Sequence, residues 1–129
     1  MIVVDASVLA PLVLDDGPEG TKKRARLQGE QLAAPDLVKV EAASAIRRHL
    51  AAGFVDENRA TLAISDLISL PVLLFPTESF LERAWALRDN VTTYDACYVA
   101  LAETLGCTLL TADGRLGRAP GIGCPLELV

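Results

Sequence analysis

Short runs of apolar residues alternate along this chain with longer segments in which apolar residues recur every three or four positions. The short runs are typical of strands buried on both faces, and the longer segments are typical of helices that cover a sheet. The pattern predicts strands at residues 2–4, 31–34, 71–75, 107–110 and 125–128. It predicts helices at about 7–14, 18–28, 37–52, 57–69, 78–88 and 93–105.

Polar residues and glycines mark where these helices begin and end. A side-chain oxygen just before a helix can accept a hydrogen bond from an orphan amide of the first turn, and glycine readily ends a helix. The predicted N-caps are Asp36, Asp56, Thr77 and Thr92, and the predicted C-terminal glycines are Gly53 and Gly106.

Strands that alternate with helices predict the α/β class. Parallel strands need crossover helices, which pack on the sheet. We therefore expect one domain over residues 1–129, with about five strands in a mainly parallel sheet and helices on both faces. In such sheets, ligands bind beyond the carboxyl ends of the strands, where the strand order reverses.

Composition narrows the function classes. The net charge of −5 excludes an overall basic coat for nucleic acid, although not a local basic patch. Three cysteines without a C-x-x-C pair argue against a disulfide framework or a cysteine-rich zinc site. The apolar start lacks a basic segment and is interrupted by Asp5, so we expect no signal peptide, no membrane partner and a cytoplasmic location.

Two acidic residues follow predicted strands. Asp5 comes directly after the first strand, and Asp113 follows the strand at 107–110. Both are therefore expected at the edge of the sheet where ligands bind. Each could instead cap a helix or a turn, since aspartate favours such positions.

Two further acidic residues occupy helices. Glu41 lies on the apolar side of its predicted helix, where an unpaired carboxylate is costly, and an ion pair with Arg48 is its structural alternative. Asp95 lies in the first turn of a helix, where it could complete a capping box with Thr92.

Taken together, these acids point to a divalent metal. Clustered carboxylates repel each other unless a cation neutralises them. Carboxylate oxygens without histidine or cysteine ligands favour Mg²⁺ or Mn²⁺, and the single His49 is expected on the surface. Such an ion can activate water and stabilise negative charge during phosphodiester cleavage.

Four segments give the chain a family resemblance. They are VDASVL at 4–9, VEAASAI at 40–46, YDACYVALA at 94–102 and LLTAD at 109–113. In order, spacing and flanking residues they resemble PIN-domain ribonucleases, and among these the VapC toxins of toxin–antitoxin pairs.

The resemblance implies a site and its ligands. By it, Asp5, Glu41, Asp95 and Asp113 are the metal-binding and catalytic acids, and they hold Mg²⁺ or Mn²⁺. Ser7 and Thr111 match supporting hydroxyl positions. Gly114 and Arg115 stand where many members have a further acid, which leaves open whether one or two metal ions bind.

The implied function is a Mg²⁺-dependent endoribonuclease that hydrolyses RNA with metal-activated water. A non-catalytic PIN-like module that binds RNA or a protein is the alternative. The family also implies a homodimer and a cognate VapB-type antitoxin. Arg115 and Arg118 are predicted to contact RNA phosphates, whereas the basic cluster at 22–26 is expected to be a solvated helix face.

Overall fold

A single parallel sheet organises the chain. In the computed structural model, which describes residues 1–129, five strands lie in the order β3-β2-β1-β4-β5 and every pair is parallel. The strands are β1 (Ile2–Val4), β2 (Leu32–Pro35), β3 (Val72–Phe75), β4 (Leu109–Thr111) and β5 (Leu126–Leu128). The predicted α/β class with a five-stranded sheet is confirmed.

Six helices cover the sheet in two groups. They are α1 (Ala6–Leu14), α2 (Pro18–Leu27), α3 (Val38–Ala51), α4 (Glu57–Ser69), α5 (Leu81–Ala86) and α6 (Thr93–Leu105). The first four contact one another, and α5 contacts α6. Because the chain moves one way across the sheet from β1 to β3 and returns the other way from β3 to β4, right-handed crossovers place these groups on opposite faces. None of the helices has the length and apolar character needed to traverse a bilayer.

The strand order reverses between β1 and β4. These two strands are neighbours at the centre of the sheet, with Val3 opposite Leu109 and Val4 opposite Leu110, and all four side chains are fully buried. The buried strands fix the positions of the segments that follow them. The segment after β1, which begins with Asp5, therefore lies beside the segment after β4 that carries Asp113.

Two predicted helix caps are wrong for the same physical reason. Asp36 does not cap α3; its carboxylate accepts hydrogen bonds from the backbone amide and hydroxyl of Thr77, and Leu37 takes the N-cap position. Thr77 in turn does not cap a long helix, because it begins a 3₁₀ turn that precedes α5. Pro35 and Phe75 are register partners, so the residues after β2 and β3 meet and bond to each other.

The strand β3 is not buried as predicted. It forms one edge of the sheet, and Leu73 and Leu74 remain 42% and 45% exposed. The helix predicted at 78–88 is also shorter, and β4 begins two residues later than expected. The caps Asp56 and Thr92 and the left-handed Gly106, which ends α6 at φ +63°, are confirmed.

Candidate functional site

One cleft contains all four acids proposed from the sequence. It has a volume of about 560 Å³ and lies at the carboxyl ends of β1 and β4. Asp5 and Asp113 reach it from the segments after these strands, Glu41 from α3 and Asp95 from the first turn of α6. The topological switch point therefore brings together residues that are far apart in the chain.

Asp5 is the most buried of the four acids, with 5% of its surface exposed. Its Oδ1 accepts hydrogen bonds from the Ser7 hydroxyl and, at 3.3 Å, from the Val8 amide. Its Oδ2 accepts one from the Thr111 hydroxyl. Asp5 is thus the N-cap of α1, the structural role that the sequence left open for it. It also lines the cleft.

Ser7 and Thr111 each bridge Asp5 to the segment after β4. The Ser7 oxygen accepts from the Ala112 amide at 2.9 Å, and the Thr111 oxygen accepts from the Asp113 amide at 3.0 Å. Since each hydroxyl has only one proton and donates it to Asp5, their amide bonds use the oxygen lone pairs. The two hydroxyls therefore hold Asp5 and the segment carrying Asp113 in one arrangement.

Glu41 is held by a tyrosine rather than by an arginine. The hydroxyl of Tyr98, a residue only 1% exposed, donates a hydrogen bond to Glu41 Oε1. Arg48 does not pair with Glu41 and instead donates to the Ser44 hydroxyl at 3.2 Å. The ion-pair alternative for Glu41 is therefore wrong, and its charge has no cationic partner.

Asp95 follows the N-cap of α6. The Thr92 hydroxyl oxygen accepts from the Asp95 amide at 3.2 Å, which is half of a capping box. The reciprocal bond from the Thr92 amide to the Asp95 carboxylate is not made. The Asp95 carboxylate therefore stays available on the cleft side, close to the partial positive charge of a helix N-terminus.

Asp113 is the one acid of the cleft with a cationic partner. Its Oδ2 lies 3.3 Å from an Arg115 guanidinium nitrogen, and its Oδ1 accepts from the Arg115 amide at 2.9 Å. The second bond closes a local turn, so Asp113 also has the turn-capping role that the sequence left open for it. Arg118 lies near Gly114, and neither Arg115 nor Arg118 lines the cleft itself.

The electrostatics divide the four acids into two kinds. Burial raises the pKa of Asp5, Glu41 and Asp95, and the negative charge of Asp95 adds to the rise at Asp5 and Glu41. The hydrogen bonds and charge of Arg115 lower the pKa of Asp113. Three carboxylates are consequently held together with no ion-paired cation, and only the nearby charge of Arg115 partly offsets the rise in the pKa of Asp95. This arrangement costs free energy that a bound cation would recover.

Comparison with known proteins decides the family. The PIN domain family matches residues 2–122. Ribonuclease VapC12 of Mycobacterium tuberculosis is 40% identical over 100% of this chain and 99% of its own length. The chain belongs to the PIN-domain family.

Solved structures agree with this assignment. The VapC20 toxin of Mycobacterium tuberculosis, described as cleaving the sarcin–ricin loop, superposes with a TM-score of 0.71 over 95% of this chain and 97% of that one, at 17% identity. VapBC2 of Rickettsia felis, bound to a promoter DNA fragment, gives 0.67 over 99% and 98%, at 13% identity. These likenesses show a shared fold. The predictions of a PIN domain and of a VapC-type ribonuclease are confirmed.

The basic cluster at 22–26 is only partly the solvated face expected from the sequence. Lys23 is buried with 5% exposure and lies 3.7 Å from Glu19. Arg24 donates to two backbone carbonyls, and Arg26 pairs with Glu127 of β5. Arg24 and Arg26 therefore tie α2 to its neighbours, whereas Lys23 pairs within α2 itself.

Three further residues line the cleft that sequence reasoning did not place there. Tyr98 was part of the segment that carried the resemblance, and its spacing of three residues from Asp95 places both on one side of α6. Arg48 follows Glu41 by two helical turns, so it shares the cleft-facing side of α3. Tyr94 precedes Asp95 directly and lies at the cleft edge with 63% exposure.

The uncompensated charge predicts that Glu41→Gln does not destabilise the metal-free protein. Glutamine keeps an oxygen for the Tyr98 hydroxyl and removes a charge whose pKa is raised by burial. At neutral pH we expect the midpoint temperature to stay the same or rise by roughly 1–4 °C, a small change because Glu41 is only half-buried and solvent screens its charge. Thermal melts in EDTA measure this difference.

The pH dependence follows from the raised pKa of Glu41. A carboxyl with a raised pKa favours the folded state below its ordinary value of 4.5, and that contribution is lost as the pH rises through the folded-state value. The advantage of Glu41→Gln should therefore shrink as the pH falls from 7 towards 4.5. Glu57→Gln, an exposed change on α4, is the matched control. A strongly destabilised Glu41→Gln protein at pH 7 would contradict the repulsion argument.

Proposed function

We propose that this PIN-domain protein is an endoribonuclease whose Asp5, Glu41, Asp95 and Asp113 hold a divalent ion, Mg²⁺ or Mn²⁺. The observation that supports it most is the convergence of these four carboxylates in one cleft, where only Asp113 has a cationic partner. The 40% identity to a ribonuclease VapC over the whole chain supports RNA as the substrate.

The chemistry of the donors fits such an ion. All are hard carboxylate oxygens, and His49 is the only other Asp, Glu, His or Cys side chain that lines the cleft. No three Asp, Glu, His or Cys side chains stand close enough to enclose an ion by themselves. Mg²⁺ usually takes one or two carboxylates and keeps several waters, so a complete protein cage is not required.

The protein residues divide the work of hydrolysis. When bound, the divalent ion would lower the pKa of water and offset the negative charge of the phosphate. Asp5 is fixed by its hydroxyl partners and supplies an immobile carboxylate. Glu41, whose Oε1 is occupied by Tyr98, retains Oε2 to accept the proton of the attacking water. The water oxygen bonds to phosphorus while the phosphorus–oxygen bond to the departing sugar breaks, and that sugar oxygen takes up a proton from solvent.

A VapB-type antitoxin is the proposed protein partner, and a homodimer is the proposed assembly. The VapBC2 structure and the VapC names of the relatives support the first proposal. Exposed apolar side chains are available for such contacts on α4, on β3 and at the turn before α4, including Ile68, Leu73 and Phe54. Action in the cytoplasm stays a prediction.

A binding module without catalysis is the second candidate. It is favoured by the lack of any group of three potential ligands close enough to hold an ion. Against it stand three carboxylates whose pKa values are raised by burial and by the charge of neighbouring carboxylates. A module that only binds RNA gains nothing from such an arrangement.

The requirement for metal separates the two candidates. We expect the purified protein, freed of any antitoxin, to cut cellular RNA into discrete fragments with Mg²⁺ or Mn²⁺, to stop in EDTA and to resume when metal is restored. The fragments are resolved by denaturing electrophoresis. A folded protein that cuts no RNA with either metal would establish the binding module, and cleavage that persists in EDTA would refute the metal assignment.

A further inference from the structure

The cleft has a rim that the four acids do not explain. Beyond the carboxylates, it is lined by Ser44 and Arg48 on α3 and by Tyr94 at the start of α6. Arg48 is the only arginine or lysine that lines it. Because RNA carries a negative charge at each phosphate, a cleft floored by acids needs a cation nearby to hold the chain beside the metal.

Arg48 is available to bind an RNA phosphate. It is exposed, its only bond is to the neutral Ser44 hydroxyl, and it makes no ion pair with any carboxylate. Arg115, by contrast, is committed to Asp113. The Arg48 guanidinium can exchange its single hydrogen bond to the Ser44 hydroxyl for bonds to phosphate oxygens at little cost in free energy.

Tyr94 offers a flat surface beside the same acids. Tyr94 is 63% exposed, its hydroxyl makes no hydrogen bond, and its ring stacks on no other aromatic ring of the chain. Exposed aromatic side chains next to a phosphate-binding groove are typical platforms for unpaired bases. A base inside a duplex is already stacked on its neighbours and cannot use such a platform.

The acids also separate two cavities. Asp95 and Asp113 line the cleft and, in addition, a smaller pocket of about 210 Å³ that contains Arg115. A strand whose scissile phosphate lies over the acids can therefore extend into the cleft that Arg48 and Tyr94 line or into the smaller pocket that Arg115 lines. Only the cleft has an uncommitted cation and an exposed aromatic side chain.

We propose that Arg48 and Tyr94 form a binding site for the nucleotide next to the scissile phosphate in single-stranded RNA: Arg48 holds its phosphate and Tyr94 stacks on its base. The site rests on the proposed endoribonuclease function and adds to it two residues that bind the substrate. Ser44 positions the Arg48 guanidinium in the absence of RNA.

RNA affinity tests this site without any cleavage. A fluorescein-labelled single-stranded RNA is titrated with protein in EDTA, and fluorescence anisotropy is recorded at several salt concentrations. Arg48→Gln should weaken binding and reduce the slope of log K against log salt by about 0.7, the share of one phosphate contact. Arg47→Gln changes an exposed neighbour outside the cleft; it is the matched control and should leave the affinity and the salt slope unchanged.

The stacking contact has its own pair of variants. Tyr94→Ala should weaken binding roughly five- to hundredfold, whereas Tyr94→Phe keeps the ring and should bind like the parent. A fully paired hairpin stem of the same sequence should bind more weakly and should not respond to Tyr94→Ala. Equal losses in Arg48→Gln and Arg47→Gln, or full affinity in Tyr94→Ala, would overturn the site.

Cleavage assays on the same variants keep this inference separate from the proposed function. If Arg48→Gln and Tyr94→Ala bind and cut like the parent while EDTA abolishes cleavage, the endoribonuclease stands and the nucleotide site is refuted. If the parent cuts nothing but its RNA affinity depends on Arg48 and Tyr94, the nucleotide site stands and the nuclease is refuted.

Discussion

Asp95→Asn should lower the rate of RNA cleavage by roughly a thousandfold or more, with little change in folding. Asparagine has the shape of aspartate but lacks the negative charge that would hold a divalent ion. The bond that starts α6 joins the Thr92 hydroxyl oxygen to the backbone amide of residue 95, so this substitution leaves it in place. Cleavage of a labelled RNA with protein in excess measures the loss at the chemical step.

The matched control for this substitution is Asp66→Asn. Asp66 is exposed on α4, outside the acidic cleft, and makes no ion pair. It undergoes the same chemical change, so it should retain full cleavage. Circular dichroism melts of both variants establish that they are folded. Full activity in folded Asp95→Asn protein would remove this residue from the proposed metal site.

The position of the acidic cleft could be predicted from sequence because it depends on topology. A buried run such as 2–4 reads as a strand, and a polar residue directly after a parallel strand must lie at the carboxyl edge. The structure puts Asp5 and Asp113 there, beside each other at the switch point. Glu41 was located by its helical face, which needs only local periodicity.

The partners of these acids could not be predicted in the same way. The Tyr98 hydroxyl reaches Glu41 across 57 residues of sequence, and the Thr111 hydroxyl reaches Asp5 across 106. Such contacts depend on how helices and strands are placed relative to one another, which a periodic pattern does not encode. The wrong prediction that Asp36 and Thr77 cap helices has the same origin, because these two residues hydrogen-bond to each other instead.

The prediction that β3 is buried was wrong for a related reason. Its sequence, Val-Leu-Leu-Phe, is as apolar as that of a central strand. Strand order, however, places it at an edge with Leu73 and Leu74 partly in solvent. An apolar edge strand is costly to leave uncovered, and this is consistent with the proposed assembly with a second chain.

Thr111→Val is the second substitution with a large expected effect. Valine fills the same space as threonine but removes the hydroxyl that donates to Asp5 and accepts from the Asp113 amide. Thr111 is fully buried, so the Asp5 carboxylate and the Asp113 amide each lose a hydrogen-bond partner that water does not readily replace. We expect the free energy of unfolding to fall by about 1–3 kcal/mol and cleavage to fall about 10- to 100-fold.

The pH profile distinguishes a role in positioning Asp5 from a loss of stability alone. The Thr111 hydroxyl lowers the pKa of Asp5 and so opposes the rise that burial causes. Without it the pKa of Asp5 rises further, and the carboxylate needed for metal binding forms only at higher pH. The rising limb of cleavage against pH should therefore move to higher pH in Thr111→Val, and more Mg²⁺ should be required at pH 7.

Thr61→Val supplies the matched control, because Thr61 is exposed on α4 and its hydroxyl makes no hydrogen bond within the chain. Its stability and pH profile should stay close to those of the parent. If Thr111→Val were merely destabilising, cleavage well below its melting temperature would match that of the parent at every pH. An unshifted profile in folded protein would thus show that Asp5 does not depend on this hydroxyl for its ionisation.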